Sequence, residues 1–510
     1  MKFRPKTINI LLNAVVLMVV LACQAGSIPA LVTTPVPSAT SQPEPTDTPT
    51  IKVENTPNPT TAVTTTQSET PTSLLKPTPV MTAPRNVVLV VVDSLRADHL
   101  SSYGYSRQTT PNLDRWMAQE GTRFVNAVPS ASWTCPSNAA IMSGYSPTIL
   151  NATFQTSNAS LKDKFTTLAE YLNDAGFFSA GFVTNPCLAA RYGFGQGFDY
   201  YDDSFLSRKD ISTSNKVRAN EVNDAVMEWV NNYWVNEKGE KPRLFMFLYY
   251  MEPHVWHYPP APFTTLFDPD YNGSMTPEIF GTGQPAIEGK LAVSERDKQH
   301  QIGLYDGEIA SWDAQFAQLT AYFDQIGLSD DTLFILTGDH GEFLGEYGLW
   351  AHAQGLEQEV LQVPFIFKYK GAIPAGTVVS DTVQTMDLMP TILDWVGVPL
   401  RDEIQAQSIR TLAQGMVAGQ TTEPGRPAFS EINAVTDTNY WAYWQAPREN
   451  LYSVYQDGWR YIYHSEHLAK DELYQLASSS PYQTENLLDN EPARSEAMKS
   501  LILAYFNLQP

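Results

Sequence analysis

Cysteine is scarce in this chain: Cys23, Cys135 and Cys187 are the three among 510 residues. So few thiols, so widely spaced, exclude a cysteine-built zinc centre. Positive charge is thin as well. Lys plus Arg number 33 against 55 for Asp plus Glu, a formal net charge of −22. A surface this acidic repels nucleic acid and anionic lipid headgroups, so neither is expected as a ligand. Aromatic residues are absent from positions 31–84, where 16 Thr and 11 Pro make up half the stretch. Such a segment cannot bury enough apolar surface to offset its ordering, which predicts a disordered tether. Fully extended it would reach ~170 Å, at ~3.1 Å per residue.

What is present begins with a basic N-terminus. Lys2, Arg4 and Lys6 precede the apolar stretch Ile10–Ala22, which is too short for a comfortable membrane span and reads as an export signal. Val20-Leu21-Ala22-Cys23 is similar to a bacterial lipobox, in which Cys23 is lipidated and tethers the mature chain to a membrane. The alternative is an ordinary cleaved signal with an incidental cysteine. In an exported protein Cys135 and Cys187 could pair, but two buried free thiols fit the sequence equally. The organisation expected is a signal over 1–23, a linker over 24–84, a catalytic domain over 85–425 and an antiparallel subdomain with a terminal helix over 426–510.

The folded part opens on "RNVVLVVVD", in which Asn86 to Val92 reads as a strand buried on both faces. Similar runs recur at 177–184, 244–250, 332–337 and 363–368, with helical patterns such as "TTLAEYLNDAG" and "YDGEIASWDAQFAQLTAYFDQIG" between them. This alternation predicts an α/β fold with a mostly parallel central sheet flanked by helices. Near the end, "NLYSVYQDGWRYIYH" has strand composition on both sides of Asp457-Gly458, a two-residue hairpin signal, and a helix is expected over about 491–506.

Ligands of open α/β sheets bind beyond the carboxyl ends of the strands. Two strands here end in acidic groups: "VVLVVVDS" delivers Asp93, and "LFILTGDHGE" delivers Asp339 and His340. Two carboxylates and an imidazole together suit one divalent cation.

These segments carry a family resemblance. "VVVDSLRADHLSSYGYSRQTTPNLDRWMAQEGTRFVNA" and "TGDHGEFLGEYGLWAHAQGLEQEVLQVPFIF" are similar to the two metal-binding signatures of the sulfatase family, within the alkaline phosphatase superfamily. "YYMEPHVWHYPP", "YDGEIASWDAQF", "TMDLMPTILDWVGVP" and "DELYQLASSSPYQTENLL" match further family landmarks in order, so the resemblance spans about 85–490. Type-I sulfatases carry Cys or Ser, any residue, Pro, any residue, Arg, with the first residue converted to formylglycine. Alignment on Pro136 and on Ser143-Gly144 puts Thr134 at the nucleophile position and Asn138 at the arginine position. Cys135 is then no formylglycine precursor and reads as a packed thiol.

Threonine in that position resembles the phosphoryl-handling relatives: phosphodiesterases, phosphoethanolamine transferases and lipoteichoic acid synthases. A threonine alkoxide beside a metal can attack phosphorus in line. A sulfated threonine lacks the route by which a formylglycine hydrate expels sulfate, which favours phosphate over sulfate esters. Thr134 also suits a helix N-cap, and a helix N-terminus favours an anion. The resemblance further implies that His352, 13 residues beyond Asp339, and His254, in the Pro-His landmark, handle the anion and the leaving group. Where many sulfatases have Asp-Asp and Asp-Asn, this chain has Asp93-Ser94 and Asp339-His340. One carboxylate fewer and one imidazole more favours Zn²⁺ or Mn²⁺ over Ca²⁺ or Mg²⁺. The usual Gly-Lys-Trp-His segment is replaced by "FVTNPCLAARYGFGQGFD", in which Asn185 is a candidate to face the substrate.

The expectation is therefore a metal-dependent ester hydrolase. Asp93, Thr134, Asp339 and His340 hold one divalent ion, and Thr134, His254 and His352 perform the chemistry on an anionic ester of a glycan or lipid. The alternatives are a phosphoethanolamine- or glycerophosphate-type transferase and a non-catalytic surface binding lipoprotein.

Overall fold

The computed structural model describes residues 83–151, 160–208, 216–234, 240–281, 283–416, 424–434, 447–476 and 485–509. The export signal, Cys23 and nearly all of the Thr/Pro-rich stretch lie outside them. Among the described residues no helix is long and apolar enough to cross a membrane.

The strands run in chain order as β1 Asn86–Val92, β2 Thr122–Val128, β3 Phe177–Phe182, β4 Tyr200–Asp202, β5 Arg243–Tyr250, β6 Thr332–Gly338, β7 Phe343–Leu344, β8 Trp350–Ala351, β9 Phe365–Lys368, β10 Thr377–Gln384, β11 Ala428–Ile432, β12 Leu451–Gln456, β13 Trp459–His464 and β14 Glu472–Gln475. The main helices are α1 Thr134–Ser143, α2 Leu168–Asp174, α3 Ala219–Asn232, α4 Glu295–Gln325, α5 Leu388–Val396 and α6 Pro492–Phe506.

Eight strands form the central sheet in the order β10-β2-β9-β6-β1-β5-β3-β4. Its pairings are parallel except at β9, which runs antiparallel to both β2 and β6. All seven residues of β1 are buried, because the strand sits mid-sheet with helices over both faces. Its alternating side chains feed two cores. Val87, Leu89 and Val91 pack with α1, α2 and α5, while Val88, Val90 and Val92 pack with α3 and the long α4. The Ser294–Asp297 capping box starts α4. Gly144, at φ 74°, ends α1 in the left-handed region.

A second, four-stranded antiparallel sheet, β11-β12-β13-β14, follows. Asp457 and Gly458 both have positive φ (52° and 80°), the backbone of a type I′ turn between β12 and β13. Met498 and Ile502 of α6 cover one face of this sheet. Its residues Ile432, Leu451 and Ile462 also pack in one cluster with Trp133 and Cys135, at the start of α1. The small sheet thus backs the segment that carries Thr134.

Candidate active site

Three adjacent parallel strands, β6, β1 and β5, end side by side, and their carboxyl ends supply most of the site. Asp93 follows β1, and Asp339 and His340 follow β6. One ligand atom from each of Asp93, Asp339 and His340 falls within 4.8 Å of the others, and all three residues are buried. His340 Nδ1 lies 2.8 Å from the Gly341 carbonyl. A carbonyl can only accept, so Nδ1 carries a proton, and Nε2 faces the two carboxylates, at 3.6 Å from Asp93 and 3.7 Å from Asp339.

Burial first, and the Asp339 charge second, push the Asp93 carboxyl up to about 8. Neutral donors surround the pair without cancelling its charge. Asn185 Nδ2 donates to Asp93 at 2.8 Å, and Asn138 Nδ2 and the Tyr249 hydroxyl donate to Asp339 at 2.9 and 2.7 Å. Ser94 N–H also reaches Asp339, at 3.3 Å, from a backbone held at φ 59°. Two buried carboxylates with no Lys or Arg among their described partners, faced by an imidazole nitrogen, fit a divalent cation.

Thr134 is the first residue of α1 rather than its cap; Trp133 holds the cap position. The Thr134 hydroxyl instead lies 3.3 Å from His340 Nε2 and 3.4 Å from Asn185 Nδ2. Cys135 is bonded to Cys187, with the two Cα atoms 5.4 Å apart. This corrects the reading of Cys135 as a packed thiol: a neighbour 52 positions away in sequence but adjacent in space was not visible from spacing alone. Asn185, a candidate to face the substrate, is 7% exposed and turned onto Asp93 and Thr134.

The other predicted histidines adjoin this centre. The His352 ring is centred 4.6 Å from that of His340, and the His254 ring 4.8 Å from that of His352. His352 sits between Ala351 and Ala353, both with positive φ (66° and 63°), a strained loop of the kind that accumulates at functional sites. Burial, and then His340, push the His352 imidazole down to about 3. Burial also lowers His254, against an opposing pull from Glu342.

Sequence reasoning missed Glu342. Its carboxylate lies 3.4 Å from His257 Nε2 and 3.4 Å from His352 Nδ1, and accepts the Val255 N–H at 3.2 Å. Burial alone would raise this carboxyl, but the two imidazoles outweigh it and hold it well below its ordinary value. Tyr249 was missed too, being hidden in a strand that reads as pure core. The signal that could have found Glu342 is its place in "TGDHGE", two residues beyond His340.

Comparison with known proteins gives this geometry a family. The family model described as Sulfatase matches residues 85–398, and that of the N-sulphoglucosamine sulphohydrolase C-terminal region matches 345–504. The chain belongs to the sulfatase family. It is a sulfatase-like ester hydrolase of the alkaline phosphatase superfamily, and that family is in general metal-dependent.

Among the chain's relatives is an N-acetylglucosamine-6-O-sulfatase of Bacteroides thetaiotaomicron, 23% identical over 485 residues, covering 79% of this chain and 82% of the relative. A multifunctional alkaline phosphatase superfamily protein of Trinickia caryophylli is 27% identical over 386 residues, 61% of this chain and 74% of the relative. Of solved structures, one in complex with D-glucosamine-2-N,6-O-disulfate aligns with a TM-score of 0.64 at 20% identity, covering 83% of this chain and 97% of that one. The phosphonate monoester hydrolase of Agrobacterium radiobacter aligns with a TM-score of 0.64 at 19% identity, over 82% and 95%. These structural likenesses carry the fold alone.

Proposed function

We propose that Thr134 is the nucleophile of a metal-dependent hydrolase whose preferred substrate is a phosphate ester, carried on a glycan or lipid. The observation that carries this is the Thr134 hydroxyl, 3.3 Å from His340 Nε2, at the start of a helix and beside the Asp93–Asp339 pair. The disulfide supports it from the other side, since a sulfur already bonded to Cys187 is no source of formylglycine.

Asp93, Asp339, His340 and the Thr134 oxygen would hold one divalent ion, Zn²⁺ or Mn²⁺ on the strength of the imidazole ligand. Such an ion supplies a Lewis acid that favours the deprotonated hydroxyl and screens the charge of the ester. The N-terminal N–H groups of α1 attract the anion. Thr134 gives up its hydroxyl proton to solvent and Oγ attacks phosphorus, the phosphorus–oxygen bond to the organic part breaks, and phosphothreonine forms. His254 Nδ1 donates to the Val255 carbonyl. A bound anion draws the His254 imidazole towards its protonated form, from which Nε2 gives a proton to the departing oxygen. His352 Nδ1 faces the Glu342 carboxylate, and once the anion has drawn this imidazole too towards its protonated form, Nε2 donates to the oxygens of the transferring group. Water then attacks phosphorus and gives a proton back to His254, the bond from phosphorus to Thr134 Oγ breaks, Oγ takes a proton from solvent to regain its hydroxyl, and the phosphate product leaves.

The relative named for N-acetylglucosamine 6-O-sulfate favours a second reading, a sulfate ester on a glycan. Nitrophenyl phosphate, phosphodiester, phosphonate and sulfate esters, each tested with Zn²⁺, Mn²⁺, Ca²⁺ and Mg²⁺, separate the two. Thr134→Ala should abolish turnover, and a phosphate adduct on Thr134 should be trapped by rapid quench and seen by mass spectrometry. Full activity in Thr134→Ala ends the proposal, and turnover of the sulfate ester alone selects the second reading. We further propose export and lipid anchoring through Cys23, on the basic and apolar N-terminus. Palmitate labelling that persists in Cys23→Ala rejects the anchor.

A further inference from the structure

We propose that the Cys135–Cys187 disulfide is a positioning device for the reaction, and that it acts through Asn185. This rests on the reading of Thr134 as the nucleophile.

The two half-cystines flank the reacting centre. Cys135 directly follows Thr134 on α1, and Cys187 lies two residues beyond Asn185. The Asn185 side chain is wired at both ends. Its Oδ1 accepts the Cys187 N–H at 2.9 Å, while Nδ2 donates to Asp93 Oδ2 at 2.8 Å and to Thr134 Oγ1 at 3.4 Å. One covalent bond and three hydrogen bonds therefore close a small circuit through Thr134, Cys135, Cys187 and Asn185, and tie it to a ligand carboxylate.

The circuit has a physical task. Asn185 stands in the connection between β3 and β4, which holds only short 3-10 turns (Pro186–Leu188 and Ala190–Tyr192) before β4, the edge strand of the sheet. Only three residue pairs join β4 to β3. Leu188 and Phe194 seat this connection in the core, but Asn185 stands outside any strand or α-helix, so no regular ladder fixes its amide to within a few tenths of an ångström. The disulfide anchors it to α1, whose ten residues are all buried. The Asn185 amide can then orient the Thr134 oxygen towards the ester and keep the Asp93 carboxylate turned towards the cation position.

Reduction is balanced by a dithiol: the sulfur–sulfur bond breaks, Cys135 and Cys187 each take one hydrogen, and the dithiol closes to its own disulfide. The test compares the full-length protein, the Cys135→Ser/Cys187→Ser pair, Asn185→Ala, and all three changes together. Assays run well below the measured Tm of each.

Loss of the disulfide should lower kcat by about 10-fold or more while KM stays within about 2-fold, as misplacement of a reacting group does. Asn185→Ala should do the same. The combined variant should lose no more than the worse of the two, because both changes break one circuit. Effects that multiply, or an unchanged kcat in the folded serine pair, overturn the proposal. Should the serine variants fail to fold, reduction of the folded protein by dithiothreitol, followed by intact mass, gives the same comparison, and reoxidation should restore kcat.

Failure of the Thr134 reading is distinguishable. In Thr134→Ala the Asn185–Asp93 bond remains, so reduction of that variant should still weaken Zn²⁺ or Mn²⁺ binding, by about 10-fold. Unchanged metal affinity there counts against the tether itself, whatever the nucleophile.

Discussion

At the scale of single residues, Glu342 carries several contacts at once. It faces His257, His352 and the Val255 N–H, so one carboxylate couples the loop after β5 to the loop that holds His352. Lys216 supports the same loop from outside, donating to the His254 carbonyl at 2.8 Å and pairing with the buried Glu308. Glu342→Gln keeps the shape and one acceptor but removes the charge that orients His352. Loss of a charged hydrogen bond costs about 1.5–3 kcal/mol, or roughly 10- to 150-fold in kcat/KM. Steady-state kinetics on a protein of unchanged circular dichroism checks this, and a kcat/KM within 2-fold of the parent would remove Glu342 from the machinery. Asp93, Asp339 and His340 were legible in the sequence because each follows a buried strand, where ligands of such sheets gather. Glu342, Tyr249 and Asn138 were not legible in these roles. A tyrosine inside an apolar strand reads as core, and a glutamate in a glycine-flanked loop reads as solvated. Only tertiary packing turns Tyr249 and Asn138 towards Asp339, and Glu342 towards His257 and His352.

At the scale of elements, a strand was recognised when both its faces are buried. The runs of β1, β3, β5, β6 and β9 were all anticipated, since burial on two faces makes a strand continuously apolar. The outlying strands β2, β4 and β10 were not. Thr122–Val128 reads TRFVNAV and Thr377–Gln384 reads TVVSDTVQ, each with polar residues on a face left partly open to water. The reversed direction of β9 was equally hidden, because an apolar run carries no sign of its orientation. The hairpin of the second sheet is the opposite case, in which two residues announce a turn and the backbone obeys. Gly458 holds φ 80°, and a Cβ built there meets only the Leu476 carbonyl oxygen, at 3.6 Å. The cost of Gly458→Ala is thus conformational rather than steric, about 1 kcal/mol. Urea unfolding should show that loss, with catalysis of the folded variant untouched. A neutral midpoint would mean that the turn relaxes to another type.

At the scale of the molecule, the site gathers residues from positions 93 to 352, so a cation held there would be thermodynamically linked to the fold. The sign follows from Asp93. Its carboxyl is raised from 3.8 to about 8 by burial and by Asp339, so without a cation the folded state holds a proton that the unfolded chain has released. Below pH 3.8 this group costs the fold nothing, and the penalty grows as the pH climbs until it passes about 8. A divalent ion bound there would replace that proton and lift the penalty. Protein stripped with a chelator should therefore lose Tm between pH 5.5 and pH 8. Added Zn²⁺ or Mn²⁺ should raise Tm more at pH 8 than at pH 5.5, since an ion that binds only the folded state stabilises by mass action. Asp93→Asn removes the titrating carboxyl. Its stripped form should be the more stable of the two proteins at pH 8, while its response to metal shrinks. Scanning calorimetry at the two pH values, with and without metal, reads all of these quantities. An equal metal-induced rise at both pH values in the parent protein would show that the buried carboxylate pair does not couple cation binding to the fold.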